Sequence, residues 1–277
     1  MIALEAVRDV VRELDAAGVP SPRVDSEHLV GHVLGLSRSE LYSAERELGA
    51  QELERVRALA ERRRAREPLA YILGEWGFRR LVLGVDRRVL VPRPETEVVV
   101  ERCLVRLRES AEPRVLDIGA GSGAIALAIA DEHPGARVVA VDRSAQALEV
   151  ARANLRRVGA RVDGRVTLVH GDLLAGQEGP FDLVVSNPPY VRAEELPILE
   201  PEIRLYEPLE ALVGEGVTEA IAREAFGVLN PGGWLVLECG DGQADGLAGL
   251  LVSLGYSDVQ KTRDLAERER VVEARRP

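Results

Sequence analysis

Asn187-Pro188-Pro189-Tyr190 follows the apolar run Phe181 to Ser186, and its residue types have a specific chemical use. Two successive prolines remove two backbone donors and hold the chain extended, so neither a strand nor a helix continues through them. The corner they make carries two acceptors, the side-chain oxygen of Asn187 and the backbone carbonyl of Pro188, with little conformational freedom to lose. Tyr190 adds a flat aromatic face. Two acceptors and a ring match a planar NH2 group, one acceptor for each hydrogen and the ring for the π system. Such a nitrogen is a poor nucleophile because its lone pair is delocalised into a carbonyl or an aromatic ring. A site that grips both hydrogens orients the lone pair toward an electrophile and stabilises positive charge developing on nitrogen. Without its surroundings, the same tetrapeptide is also an ordinary rigid turn leaving a strand.

A second stretch supplies the surroundings. VLDIGAGSGAIALAIA, residues 115 to 130, reads as strand, glycine turn and helix. Gly119, Gly121 and Gly123, with Ala120 and Ser122 between them, let the backbone turn tightly and approach a ligand, and the helix that follows offers its N-terminal amides. Asp142 ends the next apolar run, VVAVD, about 20 residues on, where a carboxylate can accept from both hydroxyls of a ribose. A nucleotide-like cofactor is expected. Read as Gly119-x-Gly121-x-x-Ala124, the loop also satisfies a relaxed dinucleotide fingerprint, so NAD and S-adenosylmethionine both remain open from the loop alone. Asp172, at the end of VTLVHGD, could accept from an adenine amino group, although an Asp there is also an ordinary turn or cap residue. The NH2-gripping corner tilts the choice toward S-adenosylmethionine, whose sulfonium methyl is the electrophile that such a nitrogen needs. No metal and no strong general base is required, and His170 is expected to be structural.

The elements that must position these residues alternate in the second part of the chain. Strands are expected at Val115 to Asp117, Val138 to Asp142, Val166 to Val169, Phe181 to Ser186, Trp234 to Leu237 and Val271 to Ala274, with helices between most of them. Such alternation implies an α/β fold with a largely parallel sheet covered by helices on both faces. Ligands then bind at the carboxyl ends of the strands, where all the candidate residues fall. Residues 1 to 72 read as a small helical bundle: Leu4, Val7, Val11 and Leu14 recur at helical spacing, and Ser21-Pro22 offers an N-cap and a first-turn proline for a helix carrying Leu29, Val33 and Leu34. Leu53, Val56 and Leu59 mark another stripe. Residues 73 to 92 read as a β-hairpin connector, with short apolar runs separated by Gly84-Val85-Asp86 and an arginine pair. The remainder, 93 to 277, is expected to be the catalytic domain. The basic run ERRRAR, residues 61 to 66, is expected to be a solvated helix face, with contact to an acidic partner or RNA as its sharper use.

The 277 residues carry 36 Lys and Arg against 46 Asp and Glu, a formal net charge of -10, which disfavours direct binding to nucleic acid or anionic membranes. No apolar run approaches the roughly 18 to 20 residues of a membrane span, and MIALEAVRDVVREL interleaves charges rather than forming a signal-peptide core. A cytoplasmic monomer is expected. Cys103 and Cys239 lie far apart with no metal-binding spacing, and read as small core residues.

DIGAGSG, VD at Val141-Asp142, GD at Gly171-Asp172 and SNPPY at Ser186 to Tyr190 together resemble the class I S-adenosylmethionine-dependent methyltransferases that modify exocyclic or amide NH2 groups. PLAYILGEWGF at 68 to 78, VLVPRPETE at 89 to 97 and YEPLEALVG at 206 to 214 narrow the resemblance, which spans essentially the whole chain, to the release factor glutamine methyltransferase (HemK) family. The resemblance implies a seven-stranded methyltransferase sheet. It implies S-adenosyl-L-methionine along Gly119 to Gly123, with Asp142 on the ribose, Asp172 and Leu173 near the adenine, and Asn187 bordering both cofactor and substrate. It implies methylation of the N5 amide nitrogen of the glutamine in the Gly-Gly-Gln loop of class 1 peptide-chain release factors, with Asn187, Pro188, Pro189 and Tyr190 around that glutamine and the helical domain helping to hold the release factor. Members often carry a bulky aromatic where Leu173 stands. A sister glutamine methyltransferase acting on a ribosomal protein shares the catalytic motifs, and an adenine-N6 nucleic-acid methyltransferase shares NPPY.

Overall fold

The computed structural model describes residues 2–43, 45–162, 164–174 and 176–277. The chain forms two compact units, Met1–Gly74 with Leu199–Tyr206, and Glu75–Ile198 with Glu207–Pro277. No helix among the described residues is long and apolar enough to cross a membrane.

The first unit is helical: Ala3–Ala16, Pro22–Leu34, Arg38–Ser43, Ala50–Arg64 and Leu69–Leu73, joined by the short helix Pro201–Tyr206 from much later in the chain. The buried face of Ala3–Ala16 is Ala3, Ala6, Val7, Val10 and Leu14, so Leu4 and Val11 of the expected stripe stand at its half-exposed margin. Small alanines let helix backbones approach, a property that hydrophobicity alone underrates. Leu29 and Val33 are buried as expected, with Val30, whereas Leu34, Leu53 and Leu59 are only half-buried. Ser21 precedes Pro22, but its side chain makes no capping hydrogen bond.

ERRRAR departs from expectation at two of its arginines. Arg63 is only 5% exposed. It meets Asp25 at 2.6 Å and Glu202 at 2.8 Å. Arg66 pairs with Glu200 and Glu202, Arg62 with Glu67, and Arg64 with Glu61. The run is thus divided: Arg63 and Arg66 join an internal ion-pair network that Glu200 and Glu202 reach from a segment more than 130 residues away, while Glu61, Arg62 and Arg64 keep the exposed helix face that was expected.

The second unit opens with the expected hairpin, β1 (Glu75–Phe78) and β2 (Leu81–Gly84), but its turn is Arg79-Arg80, with Arg79 in the left-handed region at φ 49°. Its far end is tied down by Asn154, which accepts from Gly84 N–H at 2.7 Å and donates to the Gly84 carbonyl at 3.0 Å. The main sheet contains β3 (Arg114–Ile118), β4 (Arg137–Asp142), β5 (Val166–His170), β6 (Phe181–Ser186), β7 (Leu229–Glu238), β8 (Ser257–Arg263) and β9 (Glu269–Arg275), in the order β5-β4-β3-β6-β7-β9-β8. The pairings from β5 through β7 are parallel, and β9 pairs antiparallel with both β7 and β8. All six expected strands are present. The strand sequence reading missed, β8, is the polar edge segment SDVQKTR, whose charges suit an exposed edge and hide the apolar alternation.

Helices Pro94–Leu107 and Ala124–Glu132 bury one face of the sheet around Val115, Leu183 and Val236; Val217–Val228 and Ala244–Ser253 bury the other around Leu116, Val184 and Leu235. Cys103 and Cys239 are free thiols, one in each core. Chain connections run outward from β3 through β4 to β5 on one side and from β6 to β7 on the other. A crevice therefore opens between the carboxyl ends of β3 and β6, the switch point at which open α/β sheets bind ligands.

Gly135 has no space for a side chain: a Cβ there would lie 1.7 Å from the Ala111 carbonyl oxygen. Gly135→Ala is expected to destabilise the protein by about 1 to 3 kcal/mol, read as a lower urea midpoint at unchanged slope.

Candidate active site

The glycine turn and the proline corner leave adjacent strands. Parallel pairing sets Ile118 beside Ser186, and Ser186 Oγ donates to the Ile118 carbonyl at 2.6 Å. Each chain therefore departs its strand at the same level. A Cβ on Gly119, which adopts φ 78°, would lie 4.0 Å from the Asn187 backbone oxygen, so the two loops are neighbours. Gly119 and Ala120 donate their N–H groups to Val141 O at 2.9 and 3.0 Å, which stitches the turn to the end of β4. Gly121, at φ 54°, and Gly123, at φ 83°, complete the turn into helix Ala124–Glu132.

These strand ends surround one cleft, open to solvent at its mouth. Gly119, Ala120, Gly121 and Ser122 form part of its wall, as do Asp142, Asp172, Leu173, Asn187, Pro188 and Pro189. The structure thus gathers ten of the twelve candidate residues, drawn from four loops, around one space. Gly123 and Tyr190 lie off that wall. Gly123 starts the helix, and the Tyr190 hydroxyl turns away to donate to Glu238 Oε1 at 3.4 Å.

The donor set fits a ribose-bearing ligand. Asp142 Oδ2 accepts from Gly121 N–H at 2.7 Å and Oδ1 from Ser144 N–H at 2.8 Å. Two backbone donors fix the carboxylate while each oxygen keeps a lone pair for a hydroxyl. Leu173 lines the cleft with φ 48°, a left-handed conformation uncommon for a branched side chain and one that strain-tolerant functional loops retain. Asp172 is exposed at the rim. His170 is exposed, with Nε2 3.0 Å from the Arg143 carbonyl.

Sequence reading noticed PRPETE and YEPLEALVG but gave them no physical task, because their partners are remote in sequence. Arg93 donates to both carboxylate oxygens of the buried Glu207 at 2.7 Å. That pair anchors the segment behind the proline corner. Val191 N–H donates to the Leu212 carbonyl at 2.9 Å, and a Cβ on Gly214 would stand 2.3 Å from Pro189 Cγ. Thr96, in the same PRPETE stretch, donates to Glu238 Oε2 at 2.7 Å and accepts from Asn187 Nδ2 at 3.2 Å. A lone Thr and a strand-end Glu carry no motif signal, so only the fold could find them.

The chain matches the family described as PrmC N-terminal domain over residues 5–74 and that described as Methyltransferase small domain over residues 98–200. It is 44% identical over 266 residues to the release factor glutamine methyltransferase of Geobacter sulfurreducens, covering 93% of this chain and 91% of that one. It is 42% identical over 280 residues to the protein of the same name from Deinococcus radiodurans, with 98% of each covered. Among solved structures it is similar in fold to a methyltransferase from Pyrococcus furiosus, at TM-score 0.50 and 24% identity over 70% of this chain and 88% of that one. It is also similar in fold to the T. thermophilus 16S rRNA N2 G1207 methyltransferase, at TM-score 0.53 and 21% identity over 73% and 50%.

Burial pushes two carboxyls beside the site upward. Asp117, wholly buried in β3, is raised to about 7 by desolvation, against one hydrogen bond from Ala126 N–H. Glu238, 1% exposed at the end of β7, is likewise raised to about 7 by desolvation, against the hydrogen bonds from Thr96 and Tyr190. A raised carboxyl pKa means that folding takes up a proton. This contribution to stability is complete below the ordinary value near 4.5 and is lost as the pH rises through about 7. Glu238→Gln removes that dependence. Relative to the parent, its urea-unfolding free energy is expected to improve by on the order of 2 kcal/mol between about pH 5 and about pH 8.

Proposed function

The chain belongs to the release factor glutamine methyltransferase family, and from that premise we propose that it transfers a methyl group from S-adenosylmethionine to the N5 amide nitrogen of the glutamine in the Gly-Gly-Gln loop of class 1 peptide-chain release factors. The observation that carries this reading is the meeting of Asn187, Pro188 and Pro189 with the turn from Gly119 to Ser122 at one cleft. An NH2-gripping corner beside a nucleotide-binding turn has a use in methyl transfer to nitrogen and none in hydride transfer.

We assign Asp142 to the ribose hydroxyls, using the lone pairs its two backbone donors leave free. Gly119, Ala120, Gly121, Ser122 and Gly123 form the close-approach turn, while Asp172 and Leu173 border the adenine. The bound cofactor supplies an electrophilic methyl carbon on a sulfonium. The Asn187 side-chain oxygen and the Pro188 carbonyl accept the two hydrogens of the substrate amide, which leaves the nitrogen lone pair directed into the cleft. Their partial negative charge also stabilises the positive charge that develops on nitrogen. The methylated amide is acidic enough to lose its extra proton to these acceptors or to water. Pro189, wedged against Gly214, keeps the corner from relaxing. Tyr190, off the cleft wall with its hydroxyl directed to Glu238, is assigned to steadying the corner rather than to stacking on the amide.

The helical domain, residues 1 to 72, is assigned to holding the release factor. Within ERRRAR, Arg63 and Arg66 are engaged internally, so that contact falls to the exposed Arg62 and Arg64 or to other residues of the domain. Because release factors act in translation termination, the reaction is placed in the cytoplasm. The substrate is a protein, consistent with the net charge of -10.

Incubation with S-adenosylmethionine and a purified class 1 release factor, followed by mass mapping of the Gly-Gly-Gln peptide, should find one added methyl on the glutamine; an unmodified peptide would overturn the reading. Asn187→Ala is expected to lower kcat by about 100-fold or more while leaving cofactor affinity within about twofold. Asp142→Ala should instead weaken cofactor binding by about 10- to 100-fold, as measured by calorimetry.

A further inference from the structure

Behind the proline corner, two side chains given no part in the reaction above are joined to it by hydrogen bonds. Thr96, 4% exposed, enters from helix Pro94–Leu107, and Glu238, 1% exposed, ends β7. Thr96 Oγ1 donates to Glu238 Oε2 at 2.7 Å. A hydroxyl has one proton, so Thr96 meets Asn187 with a lone pair, and the group 3.2 Å away must be a donor, the Asn187 Nδ2. An asparagine amide anchored by its NH2 presents its oxygen on the opposite side. Tyr190 OH, 3.4 Å from Glu238 Oε1, occupies the second carboxylate oxygen. Gln243 fixes the backbone there, donating to the Tyr190 carbonyl at 3.0 Å while accepting from Gly240 N–H at 3.0 Å.

We propose that Glu238, acting through Thr96, is a positioning residue that fixes the acceptor end of the Asn187 amide toward the cleft. The proposal rests on the methyl-transfer reading for the purpose of that orientation, though not for its existence. An ionised carboxylate only accepts, so Thr96 must donate to it and Asn187 must donate to Thr96. A protonated Glu238 can donate to Thr96 instead. The Thr96 proton is then free to turn to Asn187, the amide can flip, and its NH2 faces the substrate NH2, donor against donor. The groups that bear on Glu238 come from every side: Glu95 with Thr96 from the helix, Tyr190 from the corner, Cys239 from its own strand end, and Arg270 from β9, itself 3.2 Å from Asp264. Desolvation outweighs Arg270 and holds the carboxyl near 7, within the working range. Turnover should therefore fall as the pH drops below neutrality.

The test combines kinetics on the intact enzyme with a readout that needs no substrate. With S-adenosylmethionine and purified release factor, the parent kcat should show an acid limb centred near pH 7. Thr96→Val and Glu238→Gln should each lower kcat by about tenfold or more, with KM for the release factor and cofactor affinity within about threefold. Glu238→Gln should also lose the acid limb, and Thr96→Ser should restore both rate and profile. The chain has three asparagines, Asn154, Asn187 and Asn230, so the side-chain NH2 signals of asparagine-labelled protein can be assigned singly. The Asn187 NH2 should be protected from hydrogen exchange at about pH 8, and should lose that protection in Thr96→Val and in the parent below neutrality. Kinetics unchanged in both variants, or an Asn187 signal indifferent to Thr96 and pH, would overturn the relay while leaving methyl transfer standing. An intact Asn187 signature with no methylation of the release factor would sink the substrate reading and leave the relay standing.

Discussion

The site depends on the register between two parallel strands. Ile118 lies beside Ser186, and the Ser186 hydroxyl bonds to the Ile118 carbonyl, so β3 and β6 end at the same level and release their loops side by side. A slip of one residue between them would turn the side chains of one strand to the wrong face and offset the glycine turn from the proline corner. The apolar cores on both faces of the sheet hold that register, which makes the geometry of the cleft a consequence of packing that contains no catalytic group.

Around this register the protein buries charge where it needs fixed geometry. Arg93 and Glu207 tie the loop behind the corner to the helix that supplies Thr96. In the first unit Arg63, between Asp25 and Glu202, binds a segment that returns from residue 199 onward. Buried pairs of this kind add little net stability over apolar packing, but breaking one leaves an uncompensated charge, so they favour a single arrangement. Glu238 belongs with them and differs in one respect: among the described residues no cation is bonded to its carboxylate, and its hydrogen bonds come from two neutral hydroxyls. Burial therefore keeps its proton available near neutrality, and the fold and the proposed reaction favour opposite states of the same group.

Much of the site was legible before the fold was known, because its parts are contiguous in sequence. Strand, glycine turn and helix at 115 to 130, the acidic follower Asp142, and Asn187 to Tyr190 are each marked by local residue types. Parallel strands were equally legible, since strands buried on both faces read as unbroken apolar runs. The polar edge strand β8 lacked that signal. ERRRAR misled in part for the complementary reason: the counter-charges of Arg63 and Arg66, at Asp25, Glu200 and Glu202, lie far along the chain, so two paired arginines looked free.

The sequence alone determined the class of fold, the strands that compose it and the chemical types gathered at their ends, because hydrophobic periodicity and turn chemistry act over a few residues. The tertiary structure decided which residues stand behind those ends. Hydrogen bonds between Thr96, Asn187, Tyr190 and Glu238 join positions up to 142 residues apart. Nothing in local periodicity encodes such a meeting; it exists because sheet order brings β6 beside β7 and packs helix Pro94–Leu107 across their face.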